Sequence, residues 1–326
     1  MDKQIRTIGV LTSGGDAQGM NACIRAVTRS ALNKGIRVMG IRKGYNGLLR
    51  GDIVEMTAAS VADIIHRGGT ILYTARCPEF LEPENQKRAS EMCKVFGIDG
   101  LVVIGGDGSF RGAKDVSKFG INVVGVPGTI DLDIACTDYT IGFDSAVNVV
   151  MDAISRLRDT SASHERCSVV EVMGRHCGEI ALWAGLATGA DAIMIPEDKD
   201  SADFERVVRI ILENRARGKN HNIIIVSEGV GGSQELAKRI HEVTGIDSRT
   251  TILGHIQRGG RPTALDVKHA SMMGVYAVEL LAKGATDRVV AYRNGQYVDY
   301  DIDEALAMHR DVSMDIWKAN VDISTY

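Results

Sequence analysis

Two short acidic segments in this chain hold residues whose types and spacing can do chemistry together. Gly105-Gly106-Asp107-Gly108-Ser109 and Pro127-Gly128-Thr129-Ile130-Asp131-Leu132-Asp133 each follow an apolar, β-like run. Small residues let backbone N–H groups approach phosphate oxygens, and a hard cation is held through one or two carboxylates plus substrate phosphates. On that basis Gly106, Gly108 and Ser109 make a phosphate cradle, and Asp107 is a candidate Mg2+ ligand. Asp131, beside Thr129, suits a general base for a hydroxyl group. Asp131 and Asp133 lie two apart, which in an extended segment puts both side chains on one side. Taken alone, the same pair also fits turn acids or helix caps. Together the two segments read as phosphoryl transfer.

A third glycine-rich segment, Thr12-Ser13-Gly14-Gly15-Asp16, follows the first apolar run. No Gly-Lys-Ser/Thr follows it, so it is not a P-loop, and the dinucleotide fingerprint Gly-x-Gly-x-x-Gly is missing from the first strand-to-helix turn. Gly14 and Gly15 fit best as backbone donors to phosphate, although an ordinary tight turn has the same composition. Arginines recur beside glycine and histidine: Arg76, Arg166, Met173-Gly174-Arg175, Arg249 and His255-Ile256-Gln257-Arg258-Gly259-Gly260. A lone arginine is usually a solvated surface group. In the last segment, a histidine and an arginine three apart before a double glycine form a compact donor set for phosphate. Glu228 can accept a sugar hydroxyl or cap a turn.

The elements that must position these residues alternate. β-branched runs at 7–11, 36–41, 101–104, 123–126, 168–172, 192–195 and 223–226 are interleaved with helical patterns at about 20–33, 109–118, 142–158, 201–217 and 265–282. Gly35 and Gly218 stand where C-terminal helix caps belong. Such alternation predicts an α/β fold with mainly parallel sheets covered by helices on both faces. Ligands collect at the carboxyl ends of strands in such sheets, and each glycine-rich segment sits at one, so a single cleft can collect all three.

At 326 residues the chain is long enough for two lobes. Its composition, 44% apolar and 25% charged, is that of an ordinary globular protein. A net charge of -4 gives no general pull towards nucleic acid or an anionic membrane, so anionic small molecules must be met by local arginines and lysines. No segment approaches the roughly 20 apolar residues needed to span a bilayer, and no signal-like segment opens the chain, so the protein reads as cytoplasmic. Six scattered cysteines without Cys-x-x-Cys spacing read as reduced thiols.

With these residues assembled, the sequence resembles the bacterial ATP-dependent 6-phosphofructokinases over essentially its whole length. The resemblance rests on LTSGGDAQGMNA at Leu11 to Ala22, RGGTIL at Arg67 to Leu72, VVIGGDGS at Val102 to Ser109 and PGTIDLD at Pro127 to Asp133. It continues through DYTIGF at Asp138 to Phe143, RLRDTSASHER at Arg156 to Arg166, VEVMGRHCG at Val170 to Gly178 and LGHIQRGG at Leu253 to Gly260.

The resemblance implies that ATP lies against Gly15, Arg76, Cys77 and Gly106 to Ser109, with Mg2+ at Asp107. Fructose 6-phosphate would be held by Thr129, Ile130, Asp131, Met173, Gly174, Arg175, Glu228, His255, Ile256, Gln257 and Arg258. Asp131 would take the proton from the C1 hydroxyl, with Thr129, Arg76 and Arg175 steadying the transferring group. The family is a homotetramer, which implies that Arg166 and Arg249 reach the sugar 6-phosphate of a neighbouring chain. An effector site for ADP or phosphoenolpyruvate would use Arg25, Arg29, Arg158, Gly189, Asp191, Arg217, Lys219 and His221. The implied architecture is two three-layer αβα lobes with the active site in the cleft between them. Residues 1–141 plus 256–306 would form a nucleotide-binding lobe, and 142–255 plus 307–326 a sugar-phosphate-binding lobe.

Pyrophosphate-dependent relatives carry Asp where this chain has Gly108 and Lys where it has Gly128, so the two glycines favour ATP. The chain departs from the family pattern at Gln18 in place of proline, Leu132 in place of Asn and Val267 in place of Arg. In the effector set Ala58 and Asn220 stand where basic residues are common, and Asp191 where Glu is. Leu132, between two carboxylates, is expected to alter turn geometry or the acidity of Asp131. Alternatives that stay open are pyrophosphate dependence, another sugar phosphate such as tagatose 6-phosphate or sedoheptulose 7-phosphate, and a catalytically weak regulatory paralogue.

Overall fold

The computed structural model describes residues 5–324, which fall into two compact units. One comprises the chain up to Asp144 together with Arg258–Arg310, and the other comprises Ser145–Gln257 and the chain from Asp311 onward.

Among the described residues, the first unit holds an eight-stranded mixed sheet. Its centre is parallel: Thr7–Thr12 pairs Arg37–Ile41 on one side and Gly100–Gly105 on the other, and Gly100–Gly105 pairs Asn122–Thr129. The strands Thr7–Thr12 and Gly100–Gly105 are buried at every position because helices cover both faces, which is why they read as unbroken apolar runs. One face carries the packed pair Met20–Asn33 and Ala264–Ala282. The other carries Gly44–Arg50, Pro83–Val95 and Asp107–Ser117, whose Tyr45, Leu48, Cys93, Phe110 and Val116 share one core. Two antiparallel additions close the edges, Ile53–Met56 on Arg37–Ile41 and Gln296–Asp301 on Arg288–Arg293.

The chain leaves Thr7–Thr12 towards Arg37–Ile41 on one side, and Gly100–Gly105 lies on the other. The crevice beyond the carboxyl ends of Thr7–Thr12 and Gly100–Gly105 is therefore a topological switch point, where open α/β sheets bind ligands.

The second unit is a four-stranded parallel sheet in the order Ser248–Ile252, Cys167–Val172, Asn222–Ser227, Ala192–Met194. Helices Phe204–Ala216 and Ser233–Thr244 pack on one face around Val207, Ile211, Leu236 and Ile240. Glu179–Thr188 and Met314–Ser324 pack against each other and against Ala192–Met194. Each unit is thus three-layered. All six cysteines are free thiols, and no helix among the described residues is long and apolar enough to cross a membrane.

Two boundaries differ from the sequence reading for physical reasons. The strand read as 123–126 continues to Thr129, because Gly128 and Thr129 pair with a two-residue strand at Ile141–Gly142. The helix read from 109 begins at Asp107, since an acidic residue in the first turn is favoured by the helix dipole.

Candidate active site

In the first unit the switch-point crevice collects the glycine segments. Ser13 N–H donates to the Ile104 carbonyl at 2.9 Å, tying the turn after Thr12 to the end of the neighbouring strand. Gly14 takes φ +89°, a left-handed geometry that glycine adopts without cost. Asp107 opens its helix with Gly106 as the capping residue, so the first-turn N–H groups ahead of Ser109 face the crevice. The Ser109 N–H bonds Gly106 at 2.8 Å, and the Ser109 carbonyl accepts the Tyr45 hydroxyl at 2.5 Å. A Cβ added at Gly106 or Gly108 would meet nothing within 4 Å, so the space above the cradle is open.

The 67–77 loop closes down on this turn. Asn21 Nδ2 donates to the Arg67 and Gly68 carbonyls, both at 3.1 Å, and its Oδ1 accepts from Ile71 N–H at 2.8 Å. The Thr74 hydroxyl donates to the Gly14 carbonyl at 2.6 Å, which leaves Arg76 exposed and Cys77 half-buried at the end of the loop. Burial raises the Cys77 thiol above its ordinary pKa, so it is a packing group and not a thiolate. Arg258 donates through Nη1 to the Asp16 carbonyl at 2.8 Å, and a Cβ on Gly15 would strike that guanidinium at 2.6 Å. Gln18 is fully buried and its amide donates to the Gly259 carbonyl at 2.7 Å, a tie between glycine loops that proline could not make.

Partial burial, and then the Asp133 charge, raise the Asp107 pKa, while Arg111 opposes them. Two carboxylates that repel each other beside open space are the donor chemistry of a hard cation. No cluster of three or more His, Cys, Asp and Glu suited to a metal occurs among the described residues. The Asp107 and Asp133 oxygens fit Mg2+, which takes one or two carboxylates and keeps waters and phosphate oxygens as its remaining ligands.

The expectation of an extended Asp131-Leu132-Asp133 segment is not met. Leu132 takes φ +56° and is 2% exposed, so the chain turns there and strand alternation no longer relates the two aspartates. Asparagine tolerates this left-handed conformation better than leucine, which gives a physical reason for the family residue. Asp131 N–H is held by the Thr129 hydroxyl at 3.2 Å, and Asp133 faces solvent. Val267 is half-buried on a helix whose neighbouring Asp266 is fully buried. Asp266 accepts from the Tyr139 hydroxyl at 2.6 Å and from Gly142 N–H at 2.7 Å.

In the second unit, Met173, Gly174 and Arg175 follow the strand Cys167–Val172, and Glu228 follows its neighbour Asn222–Ser227. Three consecutive N–H groups are caught by side-chain oxygens. Met173 N–H donates to Gln257 Oε1 at 3.3 Å, and Gly174 and Arg175 N–H both donate to Glu228 Oε1, at 3.2 and 2.8 Å. Gly174 at φ +138° and Arg175 at φ +50° make the turn, leaving the Arg175 side chain exposed. His255 and Ile256 are exposed in a short 3-10 segment, while Gln257 is buried. Arg166 and Arg249 converge on Asp247, at 2.6 and 3.1 Å, and the Arg166 hydrogen bond foremost holds the Asp247 carboxyl below the usual carboxylate range.

The candidate effector residues separate by unit. Arg25 and Arg29 lie on the Met20–Asn33 helix, with Arg29 reaching the Ala58 carbonyl at 3.5 Å. In the second unit Arg158 bonds the Thr188 and Gly189 carbonyls, and the buried Asp191 pairs with Lys219 and accepts from Asn214 and Ile223 N–H, each at 2.8 Å. Burial, and then Lys219, lower the His221 pKa, with Asp191 opposing them. Arg217 is exposed at the end of Phe204–Ala216.

Sequence reasoning missed Asp247, Asn21 and Asp266. Asn21, Asp266 and the Arg166 contact of Asp247 act on partners far away in sequence, and nothing in residue type alone marks them as ties.

The phosphofructokinase family model matches residues 7–281. The ATP-dependent 6-phosphofructokinase of Clostridium botulinum (strain Loch Maree / Type A3) is 60% identical over 321 residues, covering 98% of this chain and 99% of its own. That of Clostridium acetobutylicum is 59% identical over 313 residues, covering 96% and 98%. Among solved structures, phosphofructokinase from Saccharomyces cerevisiae superposes with a TM-score of 0.88 at 36% identity. The match covers 92% of this chain and 44% of the yeast chain. The chain belongs to the phosphofructokinase family.

Proposed function

We infer that this chain is an ATP-dependent 6-phosphofructokinase, moving the ATP γ-phosphate to the C1 hydroxyl of fructose 6-phosphate to give fructose 1,6-bisphosphate and ADP. The observation that carries the reading is the switch-point crevice of the first unit. There the Gly14 and Gly15 turn, the open glycines 106 and 108 and the Asp107 carboxylate flank one position. The nucleotide phosphates lie along the 106–109 segment, against Gly15, with Arg76 and Cys77 bordering the nucleotide. Asp107, with Asp133 beside it, would hold Mg2+, which supplies neutralisation of phosphate charge.

Asp131 accepts the C1 hydroxyl proton as that oxygen attacks phosphorus, and the Thr129 hydroxyl fixes its backbone. Met173, Gly174, Arg175, Glu228, His255, Ile256, Gln257, Thr129, Ile130 and Arg258 are the residues proposed to bind the sugar. Arg175 and Arg76 offset charge on the transferring group.

Arg166 and Arg249, paired through Asp247, meet the 6-phosphate of a neighbouring copy in a cytoplasmic homotetramer. The 158, 189, 191, 219 and 221 cluster, with Arg217 and with Arg25 and Arg29, takes ADP or phosphoenolpyruvate as effector. The nucleotide-binding lobe is residues 1–141 plus 256–306, and the remainder serves the sugar phosphate.

Pyrophosphate is the second reading for the donor, and Gly108 weighs against it because the space a carboxylate would fill is open for the nucleotide. Asp131→Ala tests the mechanism: kcat should fall on the order of 100-fold or more with fructose 6-phosphate binding retained. An unchanged kcat would make Asp131 structural.

A further inference from the structure

Ser227 ends the strand Asn222–Ser227, directly opposite Val172 in register, and is fully buried. Its hydroxyl has no hydrogen-bond partner, an arrangement that costs free energy wherever a partner is not gained in another state. The hydroxyl lies beneath the 173–175 turn: a Cβ built on Gly174 would sit 3.5 Å from Ser227 Oγ. The Gly174 carbonyl already accepts from Cys177 N–H at 2.7 Å, and the Gly174 N–H is the residue's one donor. That N–H now shares Glu228 Oε1 with the Arg175 N–H, and the Gly174 bond is the longer, at 3.2 against 2.8 Å.

We propose that Ser227 is a positioning residue for the sugar site, its Oγ serving as the alternative acceptor for the Gly174 N–H. When a sugar hydroxyl donates to Glu228, Oε1 gives up the longer of its two turn contacts while keeping the Arg175 N–H, and the buried Gly174 N–H would be left unpaired without a second acceptor. Ser227 supplies one without leaving its strand, so the turn changes partner and keeps its path. Glu228 is thereby shared between holding the turn and binding the substrate. The inference rests on reading Met173–Arg175 and Glu228 as the sugar site.

The test is the purified full chain and its Ser227→Ala variant, assayed with Mg2+, ATP and fructose 6-phosphate. Ser227→Ala should raise KM for fructose 6-phosphate about five-fold, leave KM for ATP unchanged, and leave the ligand-free Tm unchanged or slightly higher. Ser227→Cys, a near-isosteric residue with a weaker acceptor, should fall between the two. Exchange of the Gly174 amide should be equal in wild type and Ser227→Ala without sugar, and faster in the variant with saturating fructose 6-phosphate. An unchanged KM for fructose 6-phosphate beside an active wild type would overturn the Ser227 role alone. So would a lower ligand-free Tm with equal Gly174 exchange in sugar, since the hydroxyl would then be bonded already in the free enzyme. A wild type inactive on fructose 6-phosphate would overturn the sugar site and the Ser227 role together.

Discussion

The Glu228 carboxylate accepts the Arg175 peptide N–H at 2.8 Å, so one side chain fixes the backbone of the residue proposed to face the transferring phosphate. Glu228→Ala removes the acceptor from Arg175 and from Gly174 together. Two N–H groups then lose a charged partner, at roughly 1.5–3 kcal/mol for a bond to a charged group. The variant should melt at lower temperature and raise KM for fructose 6-phosphate by at least 10-fold with KM for ATP little changed. Steady-state kinetics with each substrate varied in turn, beside a thermal melt, checks both effects. Equal rises in the two KM values would show a general loss of structure.

Asp107 lies on the opposite side of the stability balance. Burial and the Asp133 charge raise its pKa in the folded state, so the folded protein resists its ionisation and loses stability as pH rises through the carboxylate range. Asp107→Asn should therefore match wild type in Tm below about pH 4 and exceed it slightly at pH 7, while abolishing Mg2+-dependent turnover. Melting curves at both pH values with one activity assay decide it. A variant less stable than wild type at pH 7 would contradict the electrostatic account.

The two glycines proposed to select the donor should behave differently on substitution. Space at Gly108 is open and the position lies in the first turn of a helix, where an acid is favoured, so Gly108→Asp should fold normally and lose ATP turnover. At Gly128 an added Cβ meets Ile104 Cγ2 at 3.0 Å and Met20 Cε at 3.2 Å. Gly128→Lys should cost roughly 1–3 kcal/mol through overpacking. Chemical denaturation of the two variants separates a loss of donor binding from a loss of fold.

Leu132 poses a balance of opposing effects. Its left-handed φ costs roughly 1–2 kcal/mol, whereas burying its side chain stabilises by roughly 1.5–3 kcal/mol. Burial wins, so Leu132→Asn should lower stability by about 1 kcal/mol, while Asp131, held independently by Thr129, keeps kcat within a few-fold. A denaturation midpoint higher than wild type would show that backbone strain dominates.

The central strands were legible because Thr7–Thr12, Gly100–Gly105 and Asn222–Ser227 are buried on both faces and carry unbroken apolar runs. Ile53–Met56 and Gln296–Asp301 were not, because they are half-exposed edge strands whose pairing, not composition, makes them strands. The helix Pro83–Val95 was hidden in the same way, since few of its residues face the core. Within the site, the glycine segments announced themselves by local composition. The capture of the 173–175 turn by Glu228 and the junction of Arg166 and Arg249 on Asp247 did not, because they join residues 53, 81 and 2 positions apart through side-chain geometry alone.

The most direct test of the account is turnover itself. Purified protein is incubated with Mg2+ and fructose 6-phosphate, with either ATP or pyrophosphate as donor, and fructose 1,6-bisphosphate is measured directly. Fructose 1,6-bisphosphate should form with ATP, in equal amount to ADP, and not with pyrophosphate. No product with ATP, or product with pyrophosphate alone, would contradict it.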